Sequence, residues 1–194
     1  MNHFYAMMAR MRLIGRWGLM ANRAPENVAE HSLMTAVLAH ALASIAQDIY
    51  GRADVDPDAC VAAAVFHDAP EILTGDLPTP VKYFSPGIRE AYREVETAGV
   101  EKLLTMLPES MRGRYRAFFE PSEPQIAAFV HAADKLSAYI KCLEELQAGN
   151  GEFRDAAKIT RKKLDDIAMP ELNFFLEEFL PSFSLTVDEM QGII

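Results

Sequence analysis

Signals that begin and end helices recur along this chain, and the polar–apolar alternation typical of strands is nearly absent. Asn27 stands three residues before Glu30, which is the pattern of a capping box. Asp56-Pro57 and Ser85-Pro86 each place a capping side chain before a proline at the first helical position. Because apolar residues follow each signal at helical spacing, the sequence predicts an all-α fold, a bundle of roughly seven helices.

The predicted helices are separated by clear stop signals. They cover residues 27–51, 56–75, 85–107, 122–149, about 152–168, 171–180 and a last short turn from residue 186. The segment Thr74–Pro80 holds two prolines and a glycine, so it is predicted to be a loop.

Length and composition limit the class of protein. A chain of 194 residues is expected to form one domain, residues 1–194. The two cysteines are far apart, which favours a reduced, cytoplasmic setting, and the first residues do not resemble a signal peptide. We expect no membrane segment. A net charge of −9 disfavours a nucleic-acid polymer as partner, although a small anionic substrate stays compatible with local positive charge.

Four residues make a candidate metal site. His67 and Asp68 are adjacent and offer an imidazole nitrogen and a carboxylate oxygen at nearly the same point, and His31 and Asp134 lie in other predicted helices. Two imidazoles and two carboxylates suit one divalent transition-metal ion, for which we expect cobalt or manganese. Taken singly, each residue also fits an ordinary core or surface position. His40 and His131 are not expected to be ligands.

The residues around His67-Asp68 suggest how a site could act on a phosphate ester. Glu71 follows on the same predicted helical face and is a candidate general acid or base. Pro70 removes a backbone donor, so the helix is expected to bend there. Arg16 offers planar recognition of a phosphate, and Trp17 offers a rigid wall for a sugar or base. Taken alone, Trp17 fits a core anchor better.

The arrangement Glu30-His31-Ser32, His67-Asp68 and Asp134 resembles the signature of HD-domain metal-dependent phosphohydrolases. A closer likeness, from about residue 3 to 190, is to the bacterial 5′-deoxynucleotidase family. It rests on Arg16-Trp17, residues 26–33, the stretch from His67 through Thr74-Gly75-Asp76-Leu77-Pro78-Thr79-Pro80 to Tyr83-Phe84, and residues 139–146.

This resemblance implies an HD-domain helical bundle, a homodimer, and hydrolysis of deoxyribonucleoside 5′-monophosphates to nucleoside and phosphate. It implies metal ligation by His31, His67, Asp68 and Asp134. The substrate site it implies consists of Arg16, Trp17, His31, Asp76, Leu77, Pro78 and Thr79. Arg16 would orient the phosphate and Trp17 would disfavour a 2′-hydroxyl. Glu71 would be the catalytic carboxylate, with help from Asp76.

Two alternatives remain open at this point. One is a different HD-domain activity, namely a nucleoside triphosphate hydrolase or a phosphodiesterase. The other is a helical module that binds nucleotides without catalysis. Substrate length separates the first from a monophosphatase, and metal content separates the second from an enzyme.

Overall fold

The computed structural model describes residues 1–82 and 84–192. Within those ranges it contains eleven α-helices and no β-strand, so the predicted all-α class is confirmed. The helices are α1 (Phe4–Met8), α2 (Val28–Asp48), α3 (Pro57–Phe66), α4 (Glu71–Thr74), α5 (Thr79–Lys82), α6 (Pro86–Leu104), α7 (Glu109–Phe119), α8 (Pro124–Gln147), α9 (Arg154–Asp165), α10 (Pro170–Glu178) and α11 (Val187–Met190). Short 3₁₀ turns cover Met11–Leu13, Gly151–Phe153 and Leu180–Ser184.

The seven predicted helices correspond to α2, α3 with α4, α6, α8, α9, α10 and α11. The sequence signals did not predict α7, because that helix begins after Pro108 without a capping side chain and contains Gly113. The helix α8 also begins differently from the prediction. Its N-cap is Glu123, which makes no side-chain capping bond, and Ser122 lies one residue further out.

The helix α2 is the centre of the bundle and packs against α3, α8 and α10. Its Leu42 side chain lies in one core with Phe129 and Leu136 of α8 and Leu172 of α10. By length and composition α2 is also apolar enough to cross a membrane, which was not expected from the sequence. Because 56% of its apolar 18-residue window is buried inside the molecule, packing in the core accounts for its composition.

The predicted capping box of α2 is confirmed. The Asn27 side chain accepts bonds from the amides of Ala29 and Glu30, and the Glu30 carboxylate accepts one from the Asn27 amide. These bonds satisfy amides that the first turn of a helix leaves without partners. The cap therefore determines where α2 begins, and it places His31 in the first full turn, fully buried.

The predicted helix 56–75 is interrupted at the bend. The helix α3 ends at Phe66, whose carbonyl accepts a bond from the Ala69 amide at 3.1 Å, and α4 begins only at Glu71. Pro70 has no amide proton to continue the α-helical pattern. The bend is therefore confirmed, but the expectation that Glu71 shares a continuous helical face with His67-Asp68 is wrong.

The predicted proline-rich loop is confirmed over residues 75–78. Gly75 has a φ of 74°, a left-handed conformation that glycine adopts without steric cost. The helical turn α5, which begins at Thr79 inside the predicted loop, was not predicted, and Thr74 at the other end of that loop belongs to α4. Tyr83, which belongs to the stretch that carries the family resemblance, lies outside the described residues.

A loop between residues 15 and 27 is fastened to the end of α8 by one buried carboxylate. Glu145, 1% exposed, accepts bonds from the amides of Arg23 (3.0 Å) and Ala24 (3.0 Å). It also accepts bonds from Lys141 Nζ (2.6 Å) and Asn150 Nδ2 (2.8 Å). Burial raises the pKa of Glu145, but these donors outweigh it and bring the pKa to about 2.

We predict that Glu145→Ala destabilises the fold by about 3–5 kcal/mol, because it leaves the buried Lys141 ammonium and two loop amides without their acceptor. The measurement is urea unfolding at neutral pH. The matched control is Glu144→Ala, which removes the neighbouring carboxylate from an exposed position and is expected to change stability by less than about 0.5 kcal/mol.

The pH dependence of stability tests the depressed pKa of Glu145. A carboxyl group with a depressed folded-state pKa stabilises the fold above its unfolded-state pKa, and that stabilisation is lost as the pH falls through the folded-state value. The stability difference between wild type and Glu145→Gln should therefore shrink between about pH 4.5 and pH 2. A difference that stays constant over this range would contradict the proposed carboxylate network.

Candidate active site

His31, which is fully buried, and His67, whose side chain is 15% exposed, turn the same ring nitrogen, Nε2, toward a common point. The Nδ1 atom of His67 lies 2.7 Å from the Ala64 carbonyl oxygen, and Nδ1 of His31 lies 3.2 Å from the Ser137 hydroxyl. Because a carbonyl only accepts, His67 carries its proton on Nδ1, and in the neutral ring Nε2 keeps a lone pair. The ring orientation is therefore set by residues behind the site, as in metal centres where such partners orient histidine ligands.

The Nε2 atoms face two carboxylates. His31 Nε2 lies 3.2 Å from Asp134 Oδ1 and 3.5 Å from Asp68 Oδ2, and His67 Nε2 lies 3.2 Å from Asp68 Oδ2. The structure thus brings together all four predicted ligands, from α2, α8 and the turn between α3 and α4. Their convergence was the central expectation from the sequence.

The cluster fits a divalent cation. One ligand atom each from His31, His67 and Asp134 lies within 4.8 Å of the others. His67 Nε2 is buried and, despite its closeness to Asp68, has no hydrogen-bond partner among the described residues. A buried ring nitrogen without a hydrogen-bond partner, close to carboxylate oxygens, suits a transition-metal ion better than it suits a dry protein core.

The pKa values of the cluster show its need for positive charge. Burial lowers the pKa of His67, but Asp68 and Asp134 outweigh it and raise the pKa to about 9. Burial raises the pKa of Asp68, and His67 lowers it to about 2. For Asp134, burial is outweighed by His31 and Lys135, which hold the pKa well below its usual range. The carboxylates of Asp68 and Asp134 are therefore both ionised within this cluster.

Arg16 and Trp17 lie beside this cluster. Arg16 donates from Nη1 to Asp68 Oδ2 at 3.3 Å and from Nε to Glu26 Oε2 at 3.0 Å. The Trp17 indole donates from Nε1 to the same Glu26 oxygen at 2.9 Å, and its ring packs on Phe153 with centroids 5.2 Å apart. Trp17 is thus both a packing residue and a wall of the site.

Glu71 is buried beside the cluster, only 7% exposed. Its Oε2 atom has no hydrogen-bond partner among the described residues. Burial, then the charges of Asp68 and Asp76, raise the pKa of Glu71 to about 9. The carboxyl group therefore holds a proton at neutral pH, although Arg16 and Lys82 act in the opposite direction and lower its pKa.

A cavity of about 600 Å³ opens next to the metal cluster, a volume in the range of small-molecule sites. Six predicted site residues line it: Arg16, Trp17, Asp76, Pro78, Thr79 and Asp134. Leu77 is not among its described lining residues. The other lining residues were not predicted as members of the site: Gly18, Leu19, Met20, Pro80, Lys135, Ala138, Glu152 and the α9 residues Asp155, Ala156, Ile159, Thr160 and Lys163.

Two residues that support the site, Glu26 and Ser137, were not predicted as its members. Glu26 stands in the stretch that carries the family resemblance, which was the available signal. The contact of Ser137 with His31 spans 106 residues and has no local signature. Lys135 lies 2.7 Å from Asp134 Oδ2 and adds positive charge to the cavity wall.

Comparisons with known proteins agree with this geometry. The family described as 5′-deoxynucleotidase YfbR-like matches residues 3–183. The chain belongs to this family. A 5′-deoxynucleotidase of Vibrio cholerae is 46% identical over 191 residues, covering 97% of this chain and 98% of the relative. A Shewanella oneidensis 5′-deoxynucleotidase is 44% identical over 196 residues, covering 100% of both chains.

Solved structures confirm the HD-domain bundle for this YfbR-like chain. An HD-domain phosphohydrolase from Listeria innocua superposes with a TM-score of 0.77 at 23% identity, covering 97% of this chain and 92% of the other. A cyanophage S-2L HD phosphohydrolase, solved with dA and one catalytic Zn²⁺ ion, superposes with a TM-score of 0.64 at 21% identity. The match covers 89% of this chain and 93% of the other. The resemblance noted from the sequence is confirmed, and the protein is a hydrolase with an HD domain.

We predict that His67→Gln and Asp134→Asn each lose binding of Co²⁺ or Mn²⁺, because each removes one member of the converging ligand group. Isothermal titration measures this directly. In a parallel unfolding assay, metal at 100 times its Kd should stabilise only the wild type, by about 2.7 kcal/mol.

The matched control for metal binding is His131→Gln. His131 lies one turn before Asp134 and is exposed, so its loss should leave the affinity unchanged. Unchanged metal affinity in both His67→Gln and Asp134→Asn would place the ion elsewhere.

Proposed function

We propose that this protein is a 5′-deoxynucleotidase that hydrolyses deoxyribonucleoside 5′-monophosphates to the nucleoside and phosphate. The observation that carries the proposal is the convergence of His31, His67 and Asp134 beside Arg16 and Trp17, next to a cavity of about 600 Å³ that Asp134 helps to line. Membership in the YfbR-like family and the names of relatives at 46% identity support the choice of substrate.

The proposed metal ligands are His31, His67, Asp68 and Asp134, and the proposed ion is cobalt or manganese. When bound, the ion supplies Lewis acidity toward a phosphoryl oxygen and the attacking water. The chemistry of the donor set suits this group of metals but does not separate them from zinc. The cyanophage phosphohydrolase holds Zn²⁺ as its catalytic ion, so zinc belongs in any test of this site.

Arg16 binds the phosphoryl group in this proposal. Its guanidinium has five N–H donors, and the described contacts with Glu26 and Asp68 leave others for phosphoryl oxygens. Lys135 and Lys163 on the cavity wall add positive charge, which offsets the net charge of −9 around a dianionic substrate. In this proposal, Trp17 and the residues Asp76 to Thr79, Leu77 among them, hold the sugar.

Glu71 moves the proton. Its buried carboxyl holds a proton at neutral pH, and a further positive charge near Asp68 would lower that pKa toward the range in which a group both gives and takes protons. Glu71 Oε2 has no hydrogen-bond partner among the described residues, so it is available for this exchange. Asp76 assists from the loop on the other side of α4.

We propose further that the protein is a cytoplasmic homodimer with residues 1–194 as one domain. The two cysteines are free and buried, in keeping with a reducing compartment. The helix α2 exposes Leu33 (66%) and Val37 (56%) on the side away from the core, which suits an interface between copies. Analytical ultracentrifugation measures the oligomeric state.

The decisive assay measures phosphate release from the five deoxynucleoside monophosphates, a deoxynucleoside triphosphate and a cyclic nucleotide, each with Mn²⁺, Co²⁺ and Zn²⁺. We expect release from the monophosphates. Glu71→Gln should lower kcat by about 10²–10⁴-fold, because it removes the proton-transfer group. The control is Glu90→Gln on the exposed face of α6, with unchanged kcat. Release only from the triphosphate or cyclic substrate would contradict the proposal.

Trp17→Ala tests the selectivity for the deoxy sugar. If the indole occupies the space that a 2′-hydroxyl needs, the ratio of kcat/KM for dAMP to that for AMP should fall by about tenfold or more. The measurement is steady-state kinetics on the two nucleotides. A variant that retains the wild-type ratio would remove Trp17 from this role.

A further inference from the structure

We infer that Glu26 is a positioning residue that holds Arg16 and Trp17 in the orientation needed for phosphate binding and sugar selection. One carboxylate oxygen accepts bonds from both side chains, at 3.0 Å from Arg16 Nε and 2.9 Å from Trp17 Nε1. The inference rests on the proposed function, because it assigns to one residue the control of the two side chains that contact the substrate.

The backbone places Glu26 opposite Arg16. The Arg16 amide donates to the Glu26 carbonyl at 2.9 Å, and the Val28 amide donates to the Ile14 carbonyl at 2.9 Å. Gly15 and Asn27 form an antiparallel bridge between these two contacts. Because Asn27 caps α2, Glu26 is attached to the beginning of a rigid helix, and its side chain has a firm base from which to hold its partners.

The contacts restrict both side chains. An indole has a single N–H donor, so the bond to Glu26 determines the rotation of the Trp17 ring about its side-chain torsions. The Arg16 guanidinium is bound by Glu26 at Nε and by Asp68 at Nη1, which defines its plane from two sides. Both members of the Arg16–Glu26 pair are largely buried, 12% and 13% exposed, so water competes weakly for these bonds.

Trp17 needs such support. Its φ of 60° lies in the left-handed region, and it is the one non-glycine residue with positive φ in the described chain. A strained conformation persists only where the surroundings hold it, and such residues cluster at functional sites. Phe153 supports one face of the ring, and Glu26 supports the polar edge.

A different set of contacts attaches the backbone of the loop to the end of α8 and the turn that follows it. Glu145 binds the amides of Arg23 and Ala24, Glu152 accepts from the Ala21 amide at 3.2 Å, and Asn150 donates to the Ala21 carbonyl at 2.7 Å. None of these bonds involves Glu26. Loss of Glu26 should therefore leave the loop attached to α8 and release only the two side chains.

The test compares Glu26→Ala with Glu26→Gln. For Glu26→Ala we expect kcat/KM for dAMP to fall by about 10²-fold and the dAMP-to-AMP ratio to decrease, since small misplacements of positioning groups have effects of this size. The Gln variant keeps a neutral oxygen able to accept both bonds, so it should recover most of the ratio. The control is Glu101→Ala, which also removes a carboxylate–arginine pair, with Arg116, on an exposed surface.

A second measurement needs neither metal nor substrate. Trp17 is the only tryptophan in the chain, so its emission and its quenching by acrylamide report on this ring alone. We expect quenching to increase in Glu26→Ala and to stay near the wild-type value in Glu26→Gln and Glu101→Ala. If Glu26→Ala does not fold, Glu26→Asp, whose shorter side chain cannot reach both donors, takes its place.

The outcomes separate the inference from the proposed function. A wild type without activity on deoxynucleoside monophosphates defeats the proposed function, while the quenching experiment still decides whether Glu26 holds Trp17. An active wild type with unchanged selectivity and quenching in Glu26→Ala overturns the inference alone. A fall in unfolding temperature that equals that of Glu145→Ala, with kinetics unchanged, also overturns it, because it shows a purely structural role.

Discussion

The structure depends on two imidazoles, those of His31 and His67, whose Nδ1 atoms already contact the Ser137 hydroxyl and the Ala64 carbonyl, so that their Nε2 atoms turn toward a shared pair of carboxylates. Ionised carboxylates in a protein interior need a positive partner. Here the histidines and carboxylates that meet come from α2, from α8 and from the turn after α3. An ion held there by His31, His67 and Asp134 would also supply Lewis acidity, so the same electrostatic requirement would serve the fold and the reaction.

The break at Pro70 gives this centre a buried carboxyl group, Glu71, which we propose for proton transfer. In an unbroken helix, Glu71 would lie one turn beyond His67 on the same face. The interruption instead starts a new helix at Glu71 and buries its carboxyl near Asp68 and Asp76. Burial and like charge raise the pKa of that carboxyl, which is the usual way a protein prepares a carboxylic acid for proton transfer near neutral pH.

The loop before α2 adds recognition to this centre through two separate sets of buried carboxylate contacts. Glu145 fastens the loop to α8 through its backbone, whereas Glu26 contacts the side chains of Arg16 and Trp17. The backbone of the loop and the two side chains are therefore held by different contacts. Residues of α9, both apolar and charged, line part of the cavity beside Arg16 and Trp17.

The helical class, the starts of α2, α3 and α6 and the residue types of the metal cluster could be predicted from local signals in the chain. Capping boxes and proline positions act within one helical turn, so Asn27, Pro57 and Pro70 could be interpreted locally. The ligand set was visible through family resemblance. His31 meets Asp134, 103 residues away, because α2 and α8 pack against each other, and packing between helices leaves no periodic signal in the chain. The bonds from Arg16 and Trp17 to Glu26 lie within one loop, but they depend on the backbone pairing of residues 14–16 with residues 26–28, which no capping or helical pattern in the sequence marks.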